Sequence, residues 1–192
     1  MNNELFKKLT VGRFYDRFLN LMEATGLKQV RIEYSGGGDS GGPDGMDFSP
    51  YTNKKLCEEI RSKLEEELSE PIYQRHGSFA DGGGYSVNGQ VIWDSVEKSV
   101  RMEGTDHHYS YDDCDEEDED CEPEETDSDW EEVIYTKEDE VAVGDEDYSL
   151  LVLYAKHFMN GKLPEEIHNR LLIAAVDGNE SAQEYINDLK AK

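Results

Sequence analysis

Positive charge is scarce in this sequence: 19 Lys and Arg stand against 45 Asp and Glu in 192 residues, a formal net charge of −26. So few bases exclude direct binding to nucleic-acid phosphates or anionic lipid, because both rely on Lys and Arg displacing condensed counterions. The partner to expect is a basic protein surface. Long apolar runs are also missing. No stretch approaches the roughly 20 residues that span a bilayer, and Met1 to Lys8 has no apolar core of a secretion signal. A cytoplasmic protein is expected, in a bacterial or phage-infected cell. Cysteine is rare: Cys57, Cys114 and Cys121 make an odd number without tight spacing, which excludes a secreted disulfide framework and leaves free thiols.

The negative charge is unevenly spread. Between Glu103 and Ser149 there are 23 acids and one base, Lys137, so 47 residues carry −22 and the remaining 145 only −4. Asp112 to Glu132 alone holds 15 acids in 21 residues with no base. Such a run buries too little apolar area to offset its ordering entropy and is expected to be a linker when free. The chain as a whole has ample core material, with 36% apolar residues, 11 Tyr, 6 Phe and 2 Trp.

The expected class is α+β: a small α-β-α-β-β body, the acidic linker, and a C-terminal three-helix segment. Phe6, Leu9, Phe14, Phe18, Leu21 and Met22 fall mainly at helical spacing and predict one helix over 3–25, with Asn3 as its cap and Gly26 as its stop. Val30, Ile32 and Tyr34 alternate with polar residues over 28–35, the period of a half-buried strand. Residues 36–50 read as a glycine-rich loop. Leu56, Ile60, Leu64 and Leu68 form a stripe on a second helix, capped by Thr52 and ended by Pro71. Two strands follow, over 82–94 and 97–112, and residues 131–143 are weakly strand-like. Helices over 148–159, 164–176 and 181–189 complete the chain. The corresponding domains are 1–111 as scaffold, 112–132 as acidic low-complexity linker and 133–192 as a mainly helical segment.

Several motifs look like chemistry. Gly38-Asp39-Ser40-Gly41-Gly42-Pro43 resembles the nucleophile signature of chymotrypsin-like serine proteases, which would make Ser40 the nucleophile. No histidine precedes it, however; the five are His76, His107, His108, His157 and His168, and that family places its His and Asp upstream. Gly36, Gly38 and Gly41 match G-x-G-x-x-G, yet Gly42-Pro43-Asp44-Gly45 cannot open the helix that a dinucleotide site requires. Gly36, Gly37, Gly38, Asp39, Ser40 and Gly41 are therefore expected to form a structural loop, and no cofactor is implied. His107 and His108 sit on one predicted strand, where alternation sends them to opposite faces. Cys114 and Cys121 are spaced too widely for a usual zinc pair, and the acidic run lacks the D-x-D-x-D-G pattern of a calcium loop. No metal site is expected.

From Arg31 to about Asp112 the chain resembles an uncharacterised family of small bacterial and phage proteins. The features that carry the likeness are Ile32-Glu33-Tyr34-Ser35-Gly36-Gly37-Gly38-Asp39-Ser40-Gly41, the helix after it, and Asp81-Gly82-Gly83-Gly84 leading into two strands. The resemblance implies an α/β scaffold and an accessory protein of a phage or mobile element, but no activity.

Three functions compete. The leading one is an acidic interaction protein that occupies the basic surface of a nucleic-acid-binding partner. In its sharpest form it is a phage-encoded or mobile-element DNA mimic that inhibits a host defence complex such as CRISPR or restriction. The binding residues would be Asp112, Asp113, Asp115, Glu116, Glu117, Asp118, Glu119, Asp120, Glu122, Glu124, Glu125, Asp127, Asp129, Trp130, Glu131 and Glu132, with Tyr109, Tyr111 and Tyr135 as further aromatic anchors. In the second, the acidic run is only a solubilising linker. The third is an enzyme of unknown reaction at the glycine loop, drawing on Asp39, Ser40, Asp81 and His108.

Overall fold

The N-terminal apolar periodicity is divided between two helices. A computed structural model describes residues 3–38, 40–50, 54–67, 69–76, 82–110, 124–137, 146–159 and 161–190. In it the single helix expected over 3–25 is α1 (Asn3–Thr10) followed by α2 (Phe14–Thr25). The break falls at Gly12, whose φ of 109° is strained for any residue with a side chain. The apolar spacing persists across the break because both helices bury residues in one core, among them Phe6, Leu9, Phe18, Leu21 and Met22. Gly26 ends α2 in the left-handed region, where the N–H groups of Gly26 and Leu27 return to the Glu23 and Met22 carbonyls.

Strand β1 (Gln29–Gly38) shows the expected alternation, with Val30, Ile32 and Tyr34 buried. The glycine-rich segment after it is not a loop. It continues β1 and returns as β2 (Ser40–Ser49), antiparallel, with Gly37 opposite Ser40. Strand pairing wins because β1 has hydrogen-bonding neighbours on both edges, which satisfies backbone groups that a loop would leave to water. Close approach also selects the residue type: a Cβ at Gly37 would lie 2.9 Å from the Ser86 Cβ.

Helix α3 (Lys54–Glu67) buries Leu56, Cys57, Ile60 and Leu64 as its stripe predicts; the proposed cap Thr52 and Leu68 lie outside the described residues. Pro71 does not end a helix. It sits in the first turn of α4 (Ser69–His76), where its missing N–H costs nothing. Strands β3 (Gly82–Asp94) and β4 (Ser99–Ser110) form the expected antiparallel pair.

The largest correction concerns the acidic run. Glu124–Thr136 is a strand, β5, antiparallel to β4 along its whole length, so the linker expected over 112–132 does not extend past residue 123. Trp130, Ile134 and Tyr135 pack against the core, and β4 supplies a ladder; together these offset a charge density that argues locally against order. Residues 111–123 and 138–145 lie outside the described residues.

The sheet order is β2-β1-β3-β4-β5. Helices cover one face, centred on Trp93, which Phe14, Tyr15 and Phe18 surround at ring separations of 6.2, 4.9 and 5.1 Å. The C-terminal three-helix segment is α5 (Ser149–Phe158), α6 (Glu165–Val176) and α7 (Glu180–Lys190). It completes the same core: Tyr148 stands 6.4 Å from Phe6, and Lys156 Nζ is 3.0 Å from Glu59 of α3. A domain division at 132/133 would cut through β5. The α+β class stands, with two helices and two strands, β2 and β5, more than expected in the body. No described helix is long and apolar enough to cross a membrane.

Candidate functional site: the open face of the sheet

Alternation along β5 separates its acids into two sets. The register with β4 places Tyr109 opposite Glu125, His107 opposite Asp127, Thr105 opposite Asp129 and Glu103 opposite Glu131. Through β3, the Glu103 rung continues by Gln90 to Glu33 on β1. Side chains of paired residues share a face. Glu33, Glu103, Glu125, Asp127, Asp129 and Glu131 thus all emerge on the side opposite the helices, and all but Glu103 are exposed. Two adjoining open depressions cross this face. Glu33, Asp44, Gln90, Glu103, Asp129 and Glu131 line one; Ser35, Ser40, Asn88, His107, Tyr109 and Glu125 line the other.

Short polar contacts hold three of these acids in place. The Thr105 hydroxyl donates to Asp129 Oδ1 at 2.7 Å, His107 Nδ1 lies 2.6 Å from Asp127 Oδ1, and Gln90 donates to Glu103. His107 Nε2 is 3.2 Å from Asn88 Oδ1. His108 faces the other way, with its ring 5.2 Å from Tyr85, so the two imidazoles do part as strand alternation requires.

Beneath the acidic face, the helix-covered side anchors β5. Trp130 Nε1 donates to Asp106 Oδ1 at 3.0 Å, and Tyr85 donates to the same oxygen at 2.9 Å. His76 of α4 bridges Tyr85 (2.9 Å) and the buried Tyr34 hydroxyl (3.1 Å). Each donor finds one acceptor if Tyr34 donates to Nε2 and Nδ1–H donates to Tyr85, which is the neutral imidazole. Burial lowers the His76 pKa; Arg75 adds to this and Asp106 opposes it. Burial likewise raises the Tyr34 pKa, so its phenol stays protonated as a donor. The rung Tyr34–Gly89–Gly104–Trp130 has glycine at its two central positions. A Cβ at Gly89 would stand 2.6 Å from the Tyr34 hydroxyl, and one at Gly104 3.0 Å from the Trp130 ring. Two large side chains can therefore lean inward over the sheet.

Of the residues expected to bind a partner, Glu125, Asp127, Asp129 and Glu131 meet on the open face. Trp130 is occupied on the covered side, and Glu132 is tied to Arg75 at 2.8 Å. Tyr135 is turned inward too, donating to Asp16 at 2.5 Å; neither aromatic is a surface anchor. Glu124 opens β5 opposite Ser110. Asp112, Asp113, Asp115, Glu116, Glu117, Asp118, Glu119, Asp120 and Glu122 lie outside the described residues, as do Asp39, Asp81 and Tyr111. The site gains Glu33, Glu103 and His107, whose membership depends on register between strands distant in sequence. No local signal marks them.

The described part of the glycine motif is strand, in β1 and β2. Gly41 continues into a strand and not into the helix whose N-terminus a dinucleotide site uses. Ser40, Gly37, Ser86 and His107 stand on successive strands of one row, which separates Ser40 from His107 by three strand spacings, about 14 Å. Hydroxyl and imidazole do not meet.

The chain is thus a two-layer α+β protein whose sheet has one helix-covered face and one open, acidic face. No family model, no curated protein and no solved structure matches it.

Proposed function

We propose that the protein is a non-enzymatic interaction protein that docks its open acidic sheet face on the basic surface of a nucleic-acid-binding partner. The observation that carries this reading is the alternation of Glu125, Asp127, Asp129 and Glu131 on one exposed face of a strand paired along its length with β4. Carboxylates two residues apart on a strand are spaced about 6.8 Å, against about 3.4 Å per phosphate along one DNA strand. Strand β5 alone reaches half that linear density; across the sheet Glu33 and Glu103 add to it, but Arg101, 4.0 Å from Glu103, and Arg31 on the same face offset them, so the charge is concentrated on β5. Individual exposed ion pairs contribute about 0.2–1 kcal/mol, so such a face favours fast, salt-sensitive capture over tight anchoring.

The sharper form of the proposal is a DNA mimic, made by a phage or mobile element, that acts in the bacterial cytoplasm against a defence complex such as a CRISPR effector or restriction enzyme. It draws on nine further acids between Asp112 and Glu122. The fold dictates how to test both forms. Deleting 112–132 would remove most of β5 and confound charge with stability, so the charge must be neutralised in place. The combined variant Glu125→Gln, Asp127→Asn, Asp129→Asn and Glu131→Gln is compared with wild type in capture from bacterial lysate. Nucleic-acid-binding proteins recovered by wild type, released by moderate salt and lost in the variant are the expected result. Release by added duplex DNA distinguishes the mimic. Identical recovery by both chains would overturn the reading.

A further inference from the structure

We propose that His107, Glu125 and Asp127 form a divalent-cation site on the open face, suited to zinc-class ions over calcium or magnesium. Their donor atoms lie within 4.8 Å of one another. The β4–β5 ladder fixes them: His107 is directly opposite Asp127, and Glu125 lies two residues along on the same face. Three protein donors with an open side match a site that keeps exchangeable positions. The adjoining depression supplies that open side, where Gly36 and Gly37 contribute no side chains.

The His107 ring is oriented as a ligand histidine would be. Nε2 faces Asn88 Oδ1 at 3.2 Å, and Nδ1 faces Asp127 Oδ1 at 2.6 Å. Both are acceptors, whereas a neutral imidazole carries one proton. If Nε2–H donates to Asn88, Nδ1 is left as the ring's electron-pair donor toward the cluster, and the exposed Asp127 carboxylate need only swing back from 2.6 Å to admit an ion bound at about 2.0–2.2 Å to each. The Asn88 contact is also the one that orients ligand histidines: the non-ligating ring N–H donates to a carbonyl and leaves the other nitrogen as the donor. One imidazole with two carboxylates selects zinc or manganese, since calcium and magnesium prefer all-oxygen shells. This site does not depend on the protein-docking reading.

The test uses the untagged full chain titrated with Zn2+, Mn2+ and Ca2+ by calorimetry, with the His107 ring followed by NMR. Wild type, His107→Gln, Asp127→Asn and a Cys114→Ser/Cys121→Ser variant are compared, each with its melting curve. One Zn2+ per chain is expected, with a shift of the His107 ring signals. Either single substitution lowers affinity at least about tenfold, the cysteine variant binds as wild type, and Ca2+ binding is indifferent to His107→Gln. Zn2+ affinity unchanged in His107→Gln, lost only in the cysteine variant, or accompanied by an unmoved His107 ring would overturn the site. Because the ring signal is read in wild type, the result does not depend on the variants folding.

Discussion

The Arg75 guanidinium lies 3.5 Å from the centre of the Trp130 ring, and its Nη1 is 2.8 Å from Glu132. One residue of α4 thus grips two inward-facing residues of the acidic strand. The ion pair is largely exposed and worth little, whereas a guanidinium stacked on indole contributes about 0.5–2 kcal/mol. Arg75→Ala is expected to lower stability by about 1–2 kcal/mol in urea unfolding, with a change in tryptophan fluorescence. Arg75→Lys keeps the charge and loses the planar stack, so it falls nearer to Ala than to wild type. Full stability in the Lys variant would assign the effect to charge alone.

How far the sequence reveals this fold depends on whether the deciding signal is local. The Leu56, Ile60 and Leu64 stripe, the alternation of Val30, Ile32 and Tyr34, the β3–β4 hairpin and the C-terminal helices are all local patterns, and each appears where the pattern places it. Strand β5 was obscured because 15 acids in 21 residues argue for disorder. What orders it is nonlocal: the free edge of β4, and the inward placement of Trp130, Ile134 and Tyr135. The β1–β2 hairpin was hidden by glycine, which has poor strand propensity but fits where backbones approach closely. The open face was half legible. Its β5 acids belong to the acidic run, while Glu33 and Glu103 join them only through strand register.

The paired glycines of the central rung predict a sharp contrast. In Gly89→Ala the new methyl would lie 2.6 Å from both the Glu103 carbonyl and the Tyr34 hydroxyl; in Gly104→Ala it would lie 2.6 Å from the Asn88 carbonyl. Backbone oxygens cannot retreat without breaking the ladder, and overpacking of this kind costs about 1–3 kcal/mol or more. At Gly45 the nearest atom is the flexible Glu33 Oε2 at 3.8 Å. Gly45→Ala is therefore expected to be neutral, or stabilising by up to about 1 kcal/mol through the unfolded chain. Thermal melts of the three variants check this, and equal losses at 45 and 89 would refute the close-approach argument.

His76 gives the fold an acid-sensitive joint. Its pKa is lowered in the folded state, first by burial, so below the ordinary histidine value of about 6.5 the unfolded chain takes up a proton that the folded chain refuses. Stability contributed by neutral His76 is complete above that pH and is lost as pH falls toward the lower folded value. Protonation would also remove the acceptor at Nε2 that receives the Tyr34 hydroxyl. His76→Phe fills similar space without titrating. Its urea stability is expected to be lower than wild type at pH 7.5, with a shallower decline on going to pH 5. Parallel pH profiles for the two proteins would show that His76 does not carry the effect.

One of the contacts between the C-terminal segment and the body is an ion pair with one buried partner. Arg17 of α2 is 6% exposed, and its Nη1 lies 2.7 Å from Asp147 Oδ2, just ahead of α5. Burial pushes the Asp147 carboxyl up, but the Ser149 N–H and Arg17 outweigh this and hold its pKa below the usual range. Its contribution is present above the unfolded carboxylate value near 3.9 and is lost as pH falls through the lower folded value. Asp147→Asn keeps an acceptor for Ser149 and leaves Arg17 without a counter-charge. Because Asp147 is part-exposed, the expected loss is about 1–3 kcal/mol, below that for a fully buried pair. Arg17→Met with Asp147→Asn removes both charges and leaves none uncompensated, so the double variant should be more stable than the sum of its single losses predicts. A double-mutant cycle by urea unfolding measures the coupling directly. Simple additivity would mean that Arg17 and Asp147 do not couple, and that apolar packing and the Lys156–Glu59 pair hold α5 to the body without them.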